Sequence, residues 1–208
     1  MTTINNNLNK FNFILDFVLK SEGGLVNDKD DSGGMTYKGI TVRYNPNWKG
    51  WDFIKQELNS KSIKTLNSEL EGNTYINNLV KDFYNYKYYD KMQLEELPLH
   101  IGMVLMDGAI LQGTKRQIKN LQKIINNYYF LEYNKRDILV VDGIIGNNTI
   151  HTLHNILQTV SSKEVAWSLL IERLDDLVEA VNYRNSNIKY LKGWCNRLLH
   201  LYNLLKLK

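Results

Sequence analysis

The sequence predicts a mainly α protein. Apolar residues recur at helical spacing through most of its 208 residues, and only two prolines interrupt them. β-Branched and aromatic residues crowd into a strand-like run at 35–44, with a weaker signal at 138–145. Helices are expected at 8–22, 51–59, 74–90, 98–111, 115–130, 148–158, 162–183 and 187–206.

Each element has a local reason. In the first helix Phe11, Ile14, Leu15, Val18 and Glu22 fall on one stripe. Gly23-Gly24 follows, and glycine readily takes the left-handed conformation that often ends a helix. The run at 35–44 reads as a small hairpin. Pro98 stands where a helix start tolerates proline, opening the apolar run 99–109 that contains Asp107. Asp107 must therefore find partners, either as a structural hydrogen-bonding group or as a ligand contact. Val141-Asp142-Gly143 reads as a tight turn feeding a helix capped by Asn147 or Asn148. Trp194 and Arg197, one helical turn apart, suit core packing with a polar edge.

The segment from 22 to 41 carries the chemistry. Glu22 extends an apolar stripe at the negative end of a helix, and both features disfavour its charged form. A glutamic acid that keeps its proton can donate it to a leaving oxygen. The loop beyond holds Asp28, Asp30 and Asp31, then Gly33-Gly34 and Thr36. Two carboxyl groups in unlike surroundings are what acid-catalysed cleavage of a glycosidic bond requires. Asp28, Asp30 and Ser32 alternate as in a calcium loop, but the bidentate glutamate is missing and the glycines fall in the wrong place. Nearby aromatic rings offer apolar faces with polar handles for stacking on sugars, with Tyr37 and Trp48 the first choices by sequence proximity.

The pattern Glu-Gly-Gly, Asn-Asp, then Asp-x-Gly-Gly-x-Thr-x-x-Gly-Ile from 22 to 40 resembles the N-terminal signature of the glycoside hydrolase 108 family. That family comprises phage-endolysin-like N-acetylmuramidases with a lysozyme-like helical fold. Ser32 stands where a proline is usual, which bears on loop stiffness more than on chemistry. The stretches 84–90 and 97–109 follow in the family's order. Asp142-Gly143-Ile144-Ile145-Gly146-Asn147-Asn148-Thr149 resembles the Asp-Gly-x-x-Gly-x-x-Thr element of peptidoglycan-binding modules, and Gly193-Trp194-Cys195-Asn196-Arg197 resembles the family's closing helix.

The resemblance implies a lysozyme-like catalytic region at 1–112, with a small β-hairpin after the catalytic helix, and a helical peptidoglycan-binding region at 113–208 packed on it. It implies Glu22 as catalytic acid, with Asp31 and Thr36 placing or activating water; Asp28 and Asp30 compete for the place of Asp31. Asp28, Tyr37, Trp48 and Asp107 are the candidate substrate contacts. Bacterial peptidoglycan is the implied partner, with no metal or cofactor, and a holin or secretion machinery delivers a monomeric enzyme. A muramidase-like scaffold that binds glycan without cutting it is the main alternative.

Composition bounds these readings. The net charge of +4 suits a polyanionic wall and is too diffuse for nucleic acid, with no reading motif on any basic helix. A helical DNA- or protein-binding module would also leave the Glu-Gly-Gly loop unexplained. The single cysteine, Cys195, forms no internal disulfide. His151 and His154 lack a third spaced ligand and read as surface or capping groups. The start of the chain is polar, and Asn12 and Asp16 break the apolar run at 11–19, so neither a secretory leader nor a membrane span is expected. Synthesis in the cytoplasm and action at the periplasmic or wall face after release follow as expectations.

Overall fold

The computed structural model describes the backbone of residues 2–27 and 34–207, and the side chains of 10–27 and 34–206. Asp28, Asp30, Asp31 and Ser32 lie outside the described residues. The chain forms two compact units, Met1–Lys87 and Tyr88–Lys208. Among the described residues there are nine α-helices and one two-stranded sheet, the mainly α architecture expected.

The first unit holds α1 (Thr2–Lys20), β1 (Thr36–Tyr37), β2 (Ile40–Thr41), α2 (Gly50–Glu57), α3 (Ile63–Gly72) and α4 (Thr74–Tyr84). Ile14, Leu15 and Val18 of α1 are buried as their spacing predicts. The helix stops at Lys20, two residues sooner than expected. Its last turn tightens instead: Ser21 N–H donates to Val18 O at 3.0 Å and Glu22 N–H to Leu19 O at 3.2 Å. Gly24 serves a different purpose from the helix stop expected of it. A Cβ there would come within 2.5 Å of Asn67 Oδ1. Asn67 accepts from Leu25 N–H and donates to Leu25 O at 2.9 Å, standing in for a strand partner.

Helix α3 was not expected. Its signals are sparse but physical: Ser62 Oγ accepts from Thr65 N–H at 3.2 Å, and only Leu66 and Leu70 anchor it in the core. Asn73 then caps α4 through Ile76 N–H at 3.1 Å. The helix expected at 74–90 is α until Tyr84 and continues as a π-helical turn, Asn85–Asp90.

The second unit contains α5 (Leu99–Gln112), α6 (Thr114–Tyr133), α7 (Asn147–Ile156), α8 (Ser162–Tyr183) and α9 (Ile188–Leu207). Helix α5 is buried on all sides from Ile101 to Ala109 and packs on α6 and α8, while α9 packs on α8. A capping box starts α8, with Ser161 Oγ accepting from Glu164 N–H and the Glu164 carboxylate accepting from Ser161 N–H.

The run at 138–145 is not a strand. Side chains satisfy its backbone: Asn126 pairs with both Leu139 N–H (2.9 Å) and Leu139 O (2.8 Å). Buried Gln122 accepts from Gly143 N–H at 2.9 Å and donates to Asp142 Oδ1 at 2.9 Å. The Gln122 amide and the Ile144 N–H (2.8 Å) hold the Asp142 carboxyl below the usual range. Gly143, at φ 79°, lies where a Cβ would meet Lys115 O at 2.8 Å. The Asp-Gly element is thus a turn clamped onto α6.

An ion cluster sits among α5, α8 and α9. Asp107, fully buried, accepts from Arg173 Nη2 and Arg197 Nε, each at 2.7 Å. Arg173 also donates to Val104 O at 3.3 Å and to Gln112 Oε1 at 3.3 Å. Burial lowers the Arg173 pKa and the Asp107 charge opposes that shift. Gly108 leaves room for the cluster, because a Cβ there would lie 2.3 Å from Gln117 Oε1 and 2.9 Å from Arg173 Nε. Removing one partner strands buried charge. Asp107→Ala is expected to cost about 3–5 kcal/mol in urea unfolding; a loss under about 1 kcal/mol would contradict the role given to this cluster.

Candidate active site

Glu22 leaves α1 on a turn, half-buried, with its carboxyl against the tip of the β-hairpin. That tip, Lys38-Gly39, joins strands paired Tyr37 to Ile40 and Thr36 to Thr41. Both tip residues have positive φ, 44° and 75°, as a two-residue type I′ turn demands. Three bonds or contacts hold the tip in place. Lys38 N–H donates to Gly23 O at 3.1 Å, and Tyr84 OH donates to Lys38 O at 2.7 Å. The Gly39 face is closed by Glu22: a Cβ there would come 2.7 Å from Glu22 Oε2 and 2.8 Å from Tyr84 OH. Glu22, Gly39 and Tyr84 therefore share one small space.

Thr36 closes the aspartate loop. It exchanges both backbone bonds with Val26, each at 2.8 Å, so the ends of the segment bearing Asp28 and Asp31 are tied across Val26 and Thr36. Its hydroxyl donates to Gly34 O at 3.2 Å. The structure thus brings Glu22 to the hairpin that carries Thr36; Asp28 and Asp31 lie outside the described residues.

Trp48 lines an open groove of about 620 Å³ in the same unit, with Tyr44, Phe83, Tyr86, Asp82 and Lys87 among its walls. Tyr44 and Tyr86 are 69% and 82% exposed. Trp48 donates from Nε1 to Leu79 O at 3.2 Å and meets Trp51 edge-on, with centroids 5.0 Å apart. Gly50 allows this, since a Cβ there would overlap the Trp48 ring at 2.2 Å. Among the described residues no cluster of histidine, cysteine or acidic side chains could hold a metal. His154 bonds Glu96 O at 3.0 Å.

Residues 15–113 match the family model described as glycosyl hydrolase 108, and residues 116–199 match that described as a predicted peptidoglycan domain. The first half of the chain is thus a glycosyl hydrolase 108 region. The protein is a glycoside hydrolase acting on peptidoglycan, and its mainly α, lysozyme-like fold also resembles a solved structure, that of Brucella abortus SagA. The two share 22% identity and a TM-score of 0.63 over 94% of this chain and 92% of that one. No curated protein matches this chain. The family segment ending at 113 takes in α5, which packs within the second compact unit.

Two expectations for the candidate site need correction. Asp107 is not a substrate contact: it is 0% exposed and both its oxygens are taken by Arg173 and Arg197. Tyr37 does not face a ligand either. It is 1% exposed, stacks behind Trp48 at 6.3 Å between centroids, and directs its hydroxyl to Leu70 O at 3.5 Å. Proximity in sequence could not separate the two rings, because Tyr37 lies on β1 with its side chain turned into the core while Trp48 lies on the loop before α2. Tyr84 and Gly39 were missed as site residues. The sequence signs were Gly39 within the 22–40 signature and Tyr84 at the start of the 84–90 stretch.

Gly39→Ala is expected to cost about 1–2 kcal/mol through its left-handed backbone and to displace the Glu22 carboxyl, lowering turnover of sacculi well beyond the stability loss. Tyr84→Phe should cost ~1 kcal/mol by freeing Lys38 O; unchanged melting and unchanged turnover in both variants would remove the tip from the site. Burial, aided by the Glu71 charge, pushes the Tyr37 phenol up from 10.0 to about 12. A raised folded-state value contributes stability that is complete below pH 10 and is lost as pH rises through 12. Tyr37→Phe should accordingly flatten the fall in stability on the alkaline side, read by denaturant titration between those pH values.

Proposed function

We propose that the chain is an N-acetylmuramidase, cleaving the β-1,4 bond between N-acetylmuramic acid and N-acetylglucosamine with Glu22 as general acid. The observation that supports this reading is the placement of the Glu22 carboxyl at the Lys38-Gly39 tip, beside Tyr84 OH and on the hairpin that carries Thr36. A carboxylic acid lodged against the hairpin tip in this way is suited to protonate the bridging oxygen as the sugar develops oxocarbenium character. Asp31 is assigned as the second carboxylate on sequence grounds, activating water or stabilising the cation, with Thr36 placing that water. The groove lined by Trp48, Tyr44 and Tyr86 is assigned to the glycan strand, whose sugar faces stack on aromatic rings. Delivery to the wall by a holin or secretion route, and action as a monomer, belong to the same proposal.

Mass spectrometry of digested sacculi tests it. Wild type is expected to release disaccharide-peptides with muramic acid at the reducing end, and Glu22→Gln to lower that release by roughly 10²–10⁴-fold without altering the fold. Full activity in Glu22→Gln would end the assignment of the acid. Products with glucosamine at the reducing end would end the assignment of the bond.

A further inference from the structure

Helices α6 and α8 present opposite charges to each other across a groove in the second unit. Helix α6 carries Lys115, Lys119 and Lys123 at every fourth position, one stripe along a helix. Helix α8 answers with Glu172, Asp175 and Glu179. All six line an open groove of about 590 Å³. Arg116 crosses it, 2.6 Å from Asp176 and 3.5 Å from Glu179, and Lys123 lies 3.7 Å from Glu172.

A simple clasp between two helices would match every cation to an anion. Here the side chains of Lys119 and Asp175, one from each wall, take part in no ion pair or hydrogen bond among the described residues. Arg116 is held by the buried Asp176, but the Arg116–Glu179 and Lys123–Glu172 pairs are exposed on at least one side and hold the helices together only weakly. Past Arg116 the groove turns apolar. Gln112, Arg116 and Asp176 also line an adjoining cavity of about 510 Å³, walled further by Leu111, Ala180 and Trp194.

These features decide among the chemistries that peptidoglycan offers. Its sugars are largely uncharged and have no use for two charged walls. An anionic wall polymer, like a nucleic acid, would be repelled by the α8 side. The peptide stem carries carboxylates, an amine on its third residue and small methyl side chains. We infer that the α6–α8 groove binds this stem. Its carboxylates meet Lys115 and Lys119, its amine meets Asp175, and its methyl groups meet the end lined by Leu111, Ala180 and Trp194. The inference rests on the reading of the chain as a peptidoglycan hydrolase and is independent of the role of Glu22.

Calorimetric titration of the full chain carrying Glu22→Gln with a synthetic stem tetrapeptide, its third-residue amine free, tests this. Binding is expected, weakened about tenfold by Lys119→Glu and by Asp175→Lys. Acetylating the peptide amine should reproduce the Asp175→Lys loss on the parent chain and add nothing to it in that variant. This arm changes only the ligand, so it does not depend on how well a variant folds. A peptide that binds the parent chain equally well with or without its charged amine overturns the inference. So does absence of binding while the chain with Glu22 intact still releases disaccharide-peptides, an outcome that leaves the proposed function standing. Charge-dependent binding without any cleavage of sacculi would uphold the groove and end the proposed function.

Discussion

The geometry around Glu22 depends on a turn that only particular residues can make. Lys38 and Gly39 both hold positive φ, a conformation costly for any side chain with a Cβ. Lys38 accepts that cost because both of its backbone polar groups are taken, the N–H by Gly23 O and the carbonyl by Tyr84 OH. Gly39 then lets the Glu22 carboxyl approach to a distance that a methyl group would forbid. The local link, turn chemistry, thus governs the functional link, where an acid sits. Tyr84 joins the two by reaching the hairpin from the end of a helix remote in sequence.

The same economy appears at three places among the described residues where the chain runs without a strand partner. Asn67 satisfies both backbone groups of Leu25, and Asn126 does so for Leu139. Gln122 performs a similar service at Gly143 and Ile144. Buried backbone groups must be paired, and a side-chain amide offers a donor and an acceptor at the spacing of a neighbouring strand. A largely helical molecule can in this way keep ordered loops beside its helices. Asparagine, abundant here, is read in sequence as a turn former; in these two cases it is a splint.

Much of the architecture was legible because it rests on periodicity. The stripe of α1, the apolar run of α5 and the Ser161 capping box each announce themselves within a few residues. Helix α3 did not, since Leu66 and Leu70 are too few to make a pattern and its Ser62 cap resembles any loop serine. The run at 138–145 has strand-like residues, yet Asp142 and Gly143 prefer a turn once Gln122 is present, and that partner lies twenty residues away. Of the proposed site, Glu22, Thr36 and Trp48 were chosen on chemistry and position in the sequence. Tyr84 could not, because its role depends on a contact with Lys38 across 46 residues. Asp107 was ambiguous for the same reason: nothing near it in sequence discloses Arg173 or Arg197.

The pairing of Val26 with Thr36 has a consequence for how such a scaffold can diversify. Two short backbone bonds close the intervening segment at its base, leaving Glu22 and the hairpin tip anchored outside it. Closing a longer loop over the same base grows costlier only logarithmically, by roughly 0.6 kcal/mol for each doubling of length. Segments of different length that keep the second carboxylate can therefore be accommodated between these two residues with little burden on the framework that holds the acid. The base works as a socket, so changes in the length of the segment above it need not move the glutamate anchored outside it.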